Sequence, residues 1–213
     1  TSSTTSYTSR VLLSVGQTYF WRVRSVNACG DGTFASARQF TVSAPGSCPA
    51  GTAVNTVFTD DISGDATAWV VDNISGDVAA LWSKRIPPAG TGLLTRGWYA
   101  ANSATTADQR LTSPTIVLPS IAQSPIILGF DAHHQYETDG AVNCWDGGLV
   151  EISTDGGTSY QALGNQRTLA DAYPGSLSSG NPAQGAEGWC RQAVPGTAIR
   201  TYFTLDNYAG QSV

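Results

Sequence analysis

The sequence predicts an all-β chain of tandem antiparallel β-sandwiches, and three observations carry that expectation. Apolar residues alternate with polar ones over short runs, β-branched and aromatic residues fill those runs, and Gly, Pro, Asn and Asp punctuate them. No stretch sustains an apolar period of 3.6 residues, so helices are expected to be single turns at most. No blade-length repeat recurs, which favours a sandwich over a propeller.

Taken in order, residues 7–12, 19–26 and 37–42 read as the first strands. Ser14-Val15-Gly16 and Asn27-Ala28-Cys29-Gly30-Asp31-Gly32 separate them with the chemistry of tight turns. Residues 43–51 then bring Pro45, Pro49, Gly46 and Gly51 together, the best linker in the chain. The expected organisation is therefore a first domain over 1–43, a linker over 44–51 and a second domain over 52–213. Within the second, residues 54–58, 68–71, 110–118, 125–130, 149–153 and 200–205 are short, apolar and bounded by turn residues. Residues 60–65 and 72–77 echo each other, but too closely spaced for a solenoid repeat.

Composition narrows the partners. The 213 residues are 41% hydrophobic, enough for a core, but only 13% charged, with 11 Lys and Arg against 16 Asp and Glu and a net charge of −5. Such a chain, lacking a basic cluster, is a poor electrostatic partner for nucleic acid or an anionic membrane. No apolar run approaches the ~18 residues of a spanning helix, so membrane insertion is not expected. The chain opens on Thr1-Ser2-Ser3 rather than Met, which suggests a processed product or a piece of something longer.

Four cysteines, Cys29, Cys48, Cys144 and Cys190, show no metal-site spacing. An even count in a Thr/Ser/Gly-rich chain favours disulfides and an extracellular or cell-surface location. Of the three possible pairings, Cys144 with Cys190 is preferred because both fall in the second domain. Cys29 with Cys48 is then the remainder, although the intervening strand could carry the two apart.

Leu13-Ser14-Val15-Gly16-Gln17-Thr18-Tyr19, followed by Phe20-Trp21-Arg22-Val23-Arg24-Ser25-Val26-Asn27-Ala28-Cys29-Gly30, resembles the C-terminal half of a bacterial fibronectin type III domain. That resemblance implies that Tyr19 is a corner tyrosine, hydrogen-bonded back to upstream backbone. A second set of landmarks runs through Phe58-Thr59-Asp60-Asp61, Leu111-Thr112-Ser113-Pro114, Leu128-Gly129-Phe130-Asp131, Asp146-Gly147-Gly148-Leu149-Val150-Glu151-Ile152-Ser153-Thr154-Asp155-Gly156-Gly157 and Leu205-Asp206-Asn207-Tyr208-Ala209-Gly210-Gln211. These resemble the MAM-like jelly-roll modules attached to secreted bacterial peptidases of the immune-inhibitor type. The central stretch reads as turn, half-buried strand and turn, with glycines supplying positive φ. Against complete modules both domains look truncated, the first lacking its N-terminal half and the second its last strands. Half-sandwiches bury too little apolar surface to be stable alone, so continuation of the polypeptide or strands from neighbouring chains is expected.

No nucleophile–base pair, metal triad or nucleotide loop appears, and no catalytic residue is expected. His133 and His134 are neighbours, so on a strand they point to opposite faces and do not act together. The jelly-roll resemblance implies a structural calcium, for which Asp60, Asp61, Glu137, Asp139 and Asp146 are the candidate ligands. Trp98, Tyr99 and Trp145 are the leading members of a ring-lined binding face for a protein or glycan at the cell surface. The expected function is a non-catalytic accessory, adhesion or binding region of a larger secreted or cell-surface protein. Two alternatives are the trailing domains of a secreted peptidase whose catalytic domain lies elsewhere, and a structural subunit of an extracellular assembly.

Overall fold

The computed structural model describes residues 13–44, 46–48, 51–64, 68–137, 144–191 and 194–213; the strand expected over 7–12 lies outside them. Among the described residues the regular structure is strand, with single 3₁₀ turns at Val78–Ala80, Ile121–Gln123, Asn165–Arg167 and Asp206–Tyr208. Every strand pair is antiparallel. The fold class is therefore all-β, as the alternation predicts. The chain divides into two compact units, Thr1–Val54 and Asn55–Val213.

The described residues of the first unit form a long hairpin. Strands β1 (Thr18–Trp21) and β4 (Arg38–Thr41) pair near its base, and β2 (Val26–Asn27) and β3 (Gly30–Asp31) near its tip. Backbone bonds join the two ladders, Ala35 donating to Val23 at 2.8 Å and Gly32 to Ser25 at 2.9 Å, while Gly16 donates to Val42 at 2.8 Å below them. At the tip the Cys29 N–H donates to Asn27 Oδ1 at 2.8 Å, and Gly30 adopts a φ of 121° that a side chain would resist. Tyr19 stacks on its cross-strand partner Phe40 with centroids 5.9 Å apart, and its Oη accepts from the Ser14 N–H at 2.9 Å. Both hairpin faces are nonetheless open, with Phe20 71% and Trp21 50% accessible. A two-stranded hairpin without a second layer is marginal in water.

The expected Cys29–Cys48 bridge does not form, and both thiols are free and exposed. Cys29 sits at the tip, whereas Cys48 follows the base. Roughly 30 Å of ladder separates those ends at about 3.3 Å per residue. The residues from Val42 to Cys48 could reach back only about 20 Å even if fully extended, which leaves more than the ~7 Å span of a disulfide.

The second unit contains β5 (Val70–Ser75), β6 (Ser83–Arg85), β7 (Gly97–Tyr99), β8 (Asp108–Thr112), β9 (Ile127–Ala132), β10 (Glu151–Ile152), β11 (Gln161–Ala162), β12 (Thr168–Ala170), β13 (Gly175–Ser176), β14 (Glu187–Gly188) and β15 (Ile199–Thr204). Four pairs, β5–β8, β6–β7, β10–β11 and β13–β14, stand as separate ribbons; β12, β15 and β9 form a three-stranded sheet with β15 in the middle. Residues 54–58, expected as a strand, join no ladder, and Val54 and Val57 are exposed.

The core grows from β15. Alternation sends Thr201 and Phe203, both without accessible surface, to one face, together with Leu128 and Phe130 of β9. The opposite face carries Arg200 paired with Asp131 at 2.7 Å; with both side chains about half accessible, this pair adds little. Ile152, Leu163, Tyr173, Trp189, Leu205 and Tyr208 close over the inner face. Phe203 touches three rings, Phe130, Tyr173 and Trp189, with centroids 6.5, 5.8 and 6.1 Å away.

Candidate functional site

The one disulfide joins Cys144 to Cys190 across a sequence separation of 46, the preferred pairing. Both sulfurs are buried, Cys144 being 5% and Cys190 0% accessible, and they pack with Leu177, Leu149 and Ala183 into a small second core. Gly175 approaches so closely that an added Cβ would lie 3.0 Å from Cys144 Sγ and 3.5 Å from Cys190 Sγ. The Cys144 backbone is held at both ends, its N–H by Ser178 Oγ at 3.0 Å and its carbonyl by the Ser178 N–H at 3.0 Å.

On this fixed base stands Trp145, 45% accessible. Asn181 Nδ2 donates to the Trp145 carbonyl at 3.0 Å while Asn181 Oδ1 accepts from the Ala183 N–H at 2.9 Å, so the side chain that anchors the backbone beneath the ring is itself held. Gly147 and Gly148 follow. Their φ values lie outside the left-handed region, contrary to the expected reason for their presence. A Cβ at Gly147 would run into Leu177 and the Trp189 carbonyl, and one at Gly148 into the Tyr136 hydroxyl. Close approach to the backbone next to Cys190 therefore demands glycine at 147, and the Tyr136 ring crowds position 148. Gly156 and Gly157, with φ of 72° and 85°, do use left-handed freedom. Just before them, Asp155 closes the turn that leads to β11, accepting from Ser159 N–H at 2.9 Å, Ser159 Oγ at 2.6 Å and Ser153 Oγ at 2.8 Å. Those bonds, Ser159 foremost, lower its carboxyl to a pKa of about 2.

Trp98 and Tyr99 do not join Trp145 in one row. They are neighbours on β7, so their rings face opposite sides. Trp98 lies 6.3 Å from Trp69, with Lys84 Nζ 5.5 Å from its centroid, whereas Tyr99 lies under the Arg85 guanidinium at 3.4 Å.

Of the proposed calcium ligands, Asp60, Asp61, Glu137 and Asp146 are among the described residues. Asp60 Oδ1 accepts from Ile62 N–H and Oδ2 from Trp69 Nε1, each at 2.7 Å. Asp61 Oδ1 accepts from the Ser63 N–H at 3.0 Å and its hydroxyl at 2.7 Å, bonds that hold its carboxyl below the usual range. Both residues therefore shape turns. Glu137 is exposed and Asp146 partly buried, while Asp139 lies outside the described residues. Among the described residues no three His, Cys, Asp or Glu side chains converge on a metal position.

Sequence reasoning missed a polar cluster at the edge of the core. Asp171, in left-handed backbone at φ 62°, accepts Thr201 Oγ1 on Oδ2 at 2.7 Å, and its carbonyl accepts Trp189 Nε1 at 3.0 Å. His134 lies against Trp189 at 5.7 Å and Tyr136 at 5.8 Å, with Nδ1 buried and unpartnered. Burial lowers its pKa, Asp171 opposing that effect and His133 adding to it. His133 Nδ1 instead reaches the Thr197 carbonyl at 3.1 Å. Burial, with a smaller contribution from Asp146, pushes the Tyr136 hydroxyl up to about 12. Only the His133-His134 pair hinted at this cluster, because Asp171 and Thr201 are thirty residues apart and meet only through the fold.

Comparison with protein-family models, curated proteins and solved structures finds no match to this chain. Among the described residues no helix is long and apolar enough to cross a membrane.

Proposed function

We propose that this chain is a non-catalytic accessory region of a secreted or cell-surface protein, and that its second unit docks a cell-surface glycan or protein through Trp145. The observation that carries this reading is an exposed indole on a backbone clamped by a buried disulfide and by Asn181. Tryptophan supplies a large, flat contact area for few rotatable bonds, and fixing its backbone in advance reduces the ordering cost of binding. A buried disulfide also suits an oxidising compartment.

The test compares the chain with Trp145→Ala on intact cells and on immobilised glycans and proteins from their surface. Deletion of an anchor ring should weaken binding at least about tenfold. The thermal midpoint should hardly move, since surface substitutions cost about 0.5 kcal/mol or less. Pretreating the cells with glycosidase or with protease assigns the partner class. Equal binding by wild type and variant, or binding by neither, would refute the reading.

A further inference from the structure

Whole-chain charge disfavours an anionic surface, but the charge is not spread evenly. From Val78 to Ala107 the chain carries Lys84, Arg85 and Arg96 and no Asp or Glu, within a molecule of net charge −5. Pairing of β6 with β7 gathers those cations at the base of one loop, residues 86–96. The same loop holds the most accessible large apolar side chain among the described residues, Leu94 at 93%, together with Ile86 at 74%. We infer that this loop is a lipid-contact site, its aliphatic tip entering the headgroup region of an anionic bilayer while the cations at its base meet lipid phosphates.

The loop is held in shape from within and from beside. Thr91 Oγ1 donates to the Pro88 carbonyl at 3.1 Å and accepts from the Leu93 N–H at 3.3 Å. The Gly90 carbonyl accepts from the Gly196 N–H at 2.5 Å. Gly92, at a φ of 75°, lies so close to the backbone of residues 196–198 that a side chain would not fit. A backbone fixed in this way keeps Leu94 in water, so removal of its surface from water has to come from a partner.

The chemistry of the loop selects that partner. Leu94 and Ile86 are aliphatic and lack the flat rings that stack on sugars. A side chain as accessible as Leu94 stands proud of the surface, where a protein would have to supply a matching pocket; a fluid lipid surface receives it without one. Tyr99 follows at the base, a ring type suited to the headgroup level. The Arg85 guanidinium lies 3.4 Å from the Tyr99 centroid, a stacking that uses its flat face and not its N–H edge. Lys84 contributes less, because its Nζ already donates to the Gly64 carbonyl at 2.9 Å and its charge is felt by Asp61.

The experiment floats the full chain with vesicles of phosphatidylcholine alone and with vesicles of phosphatidylcholine mixed with phosphatidylglycerol. The chain should rise with the mixed vesicles and far less with phosphatidylcholine alone. Leu94→Ser should weaken that binding at least about tenfold, and Ile86→Ser should act in the same direction. Arg85→Gln should weaken it about fivefold. Leu94 is almost fully accessible, so the thermal midpoint of Leu94→Ser should match that of the wild type. Trp145→Ala should bind the vesicles as the wild type does, which keeps this result separate from docking through Trp145. Failure of the wild type to rise with the mixed vesicles would overturn the inference, and so would equal binding to both vesicle types. Full binding by Leu94→Ser would overturn it too, because surface charge alone would then attract the chain.

Discussion

Trp21 on β1 and Phe203 on β15 both sit in apolar, aromatic-rich strands paired antiparallel with a neighbour. The first is 50% accessible and the second not accessible at all. Local pairing is comparable; the difference lies in what covers the face. Over β15 lie Ile152, Leu163, Tyr173 and Trp189, delivered by loops and short ribbons well before it in the chain. Over β1 and β4 the described residues provide nothing equivalent. Alternation thus decides that a ladder forms, while stability depends on a second layer, since roughly 25 cal/mol accompanies each Å² of apolar surface removed from water.

The largest effect should come from cutting into the covered region. Phe203→Ala removes a ring packed on three others and should cost about 3–5 kcal/mol, read by urea unfolding. Replacing both Cys144 and Cys190 by serine frees a loop with a separation of 46. The chain-entropy model gives a loss of about 4 kcal/mol for a loop of that size.

His134 should give a smaller, pH-dependent effect. Burial depresses its folded pKa below the ordinary 6.5, so the folded state resists the proton that the unfolded chain accepts. Its contribution is intact above about pH 6.5, falls as pH drops through that value, and stays lost below the folded pKa. Thermal midpoints between pH 8 and pH 5 should decline, and His134→Gln should flatten the decline. An identical slope in the variant would mean that other groups carry it.

The uncovered region should hardly respond. Phe20→Ala, at 71% accessibility, should change stability by about 0.5 kcal/mol or less when measured on reduced monomer. A loss comparable with Phe203→Ala would show that the hairpin has a core of its own.

How far the sequence discloses this molecule follows the same division. Period-two runs mark β1, β4, β9 and β15 within a few residues, because each alternates over four positions or more. The ribbons β13 and β14, of two residues each and built partly of Gly, escape notice, since two positions carry no period. The echo of 60–65 in 72–77 misleads for a related reason. Asp60 and Asp61 close side-chain turns, whereas Asp72 to Ser75 belong to β5 and Asp77 caps a 3₁₀ turn through the Ala79 N–H at 2.8 Å. Neighbours decide which role an aspartate takes. At the candidate site, shared membership of the second domain pointed to Cys144–Cys190, but adjacency on β7 already forbade Trp98 and Tyr99 from sharing a face. Asp171 with Thr201 was illegible, because contact between them exists only after β12 and β15 have paired.

Native-state hydrogen exchange on the reduced chain, dilute enough to stay monomeric, tests the contrast between the two units most directly. The amides of Thr201 and Phe203 should exchange only through global opening, and those of β1 and β4 many orders of magnitude faster, close to unprotected rates. Equal protection of both sets in a verified monomer would contradict the account, because the hairpin would then be covered by packing of its own.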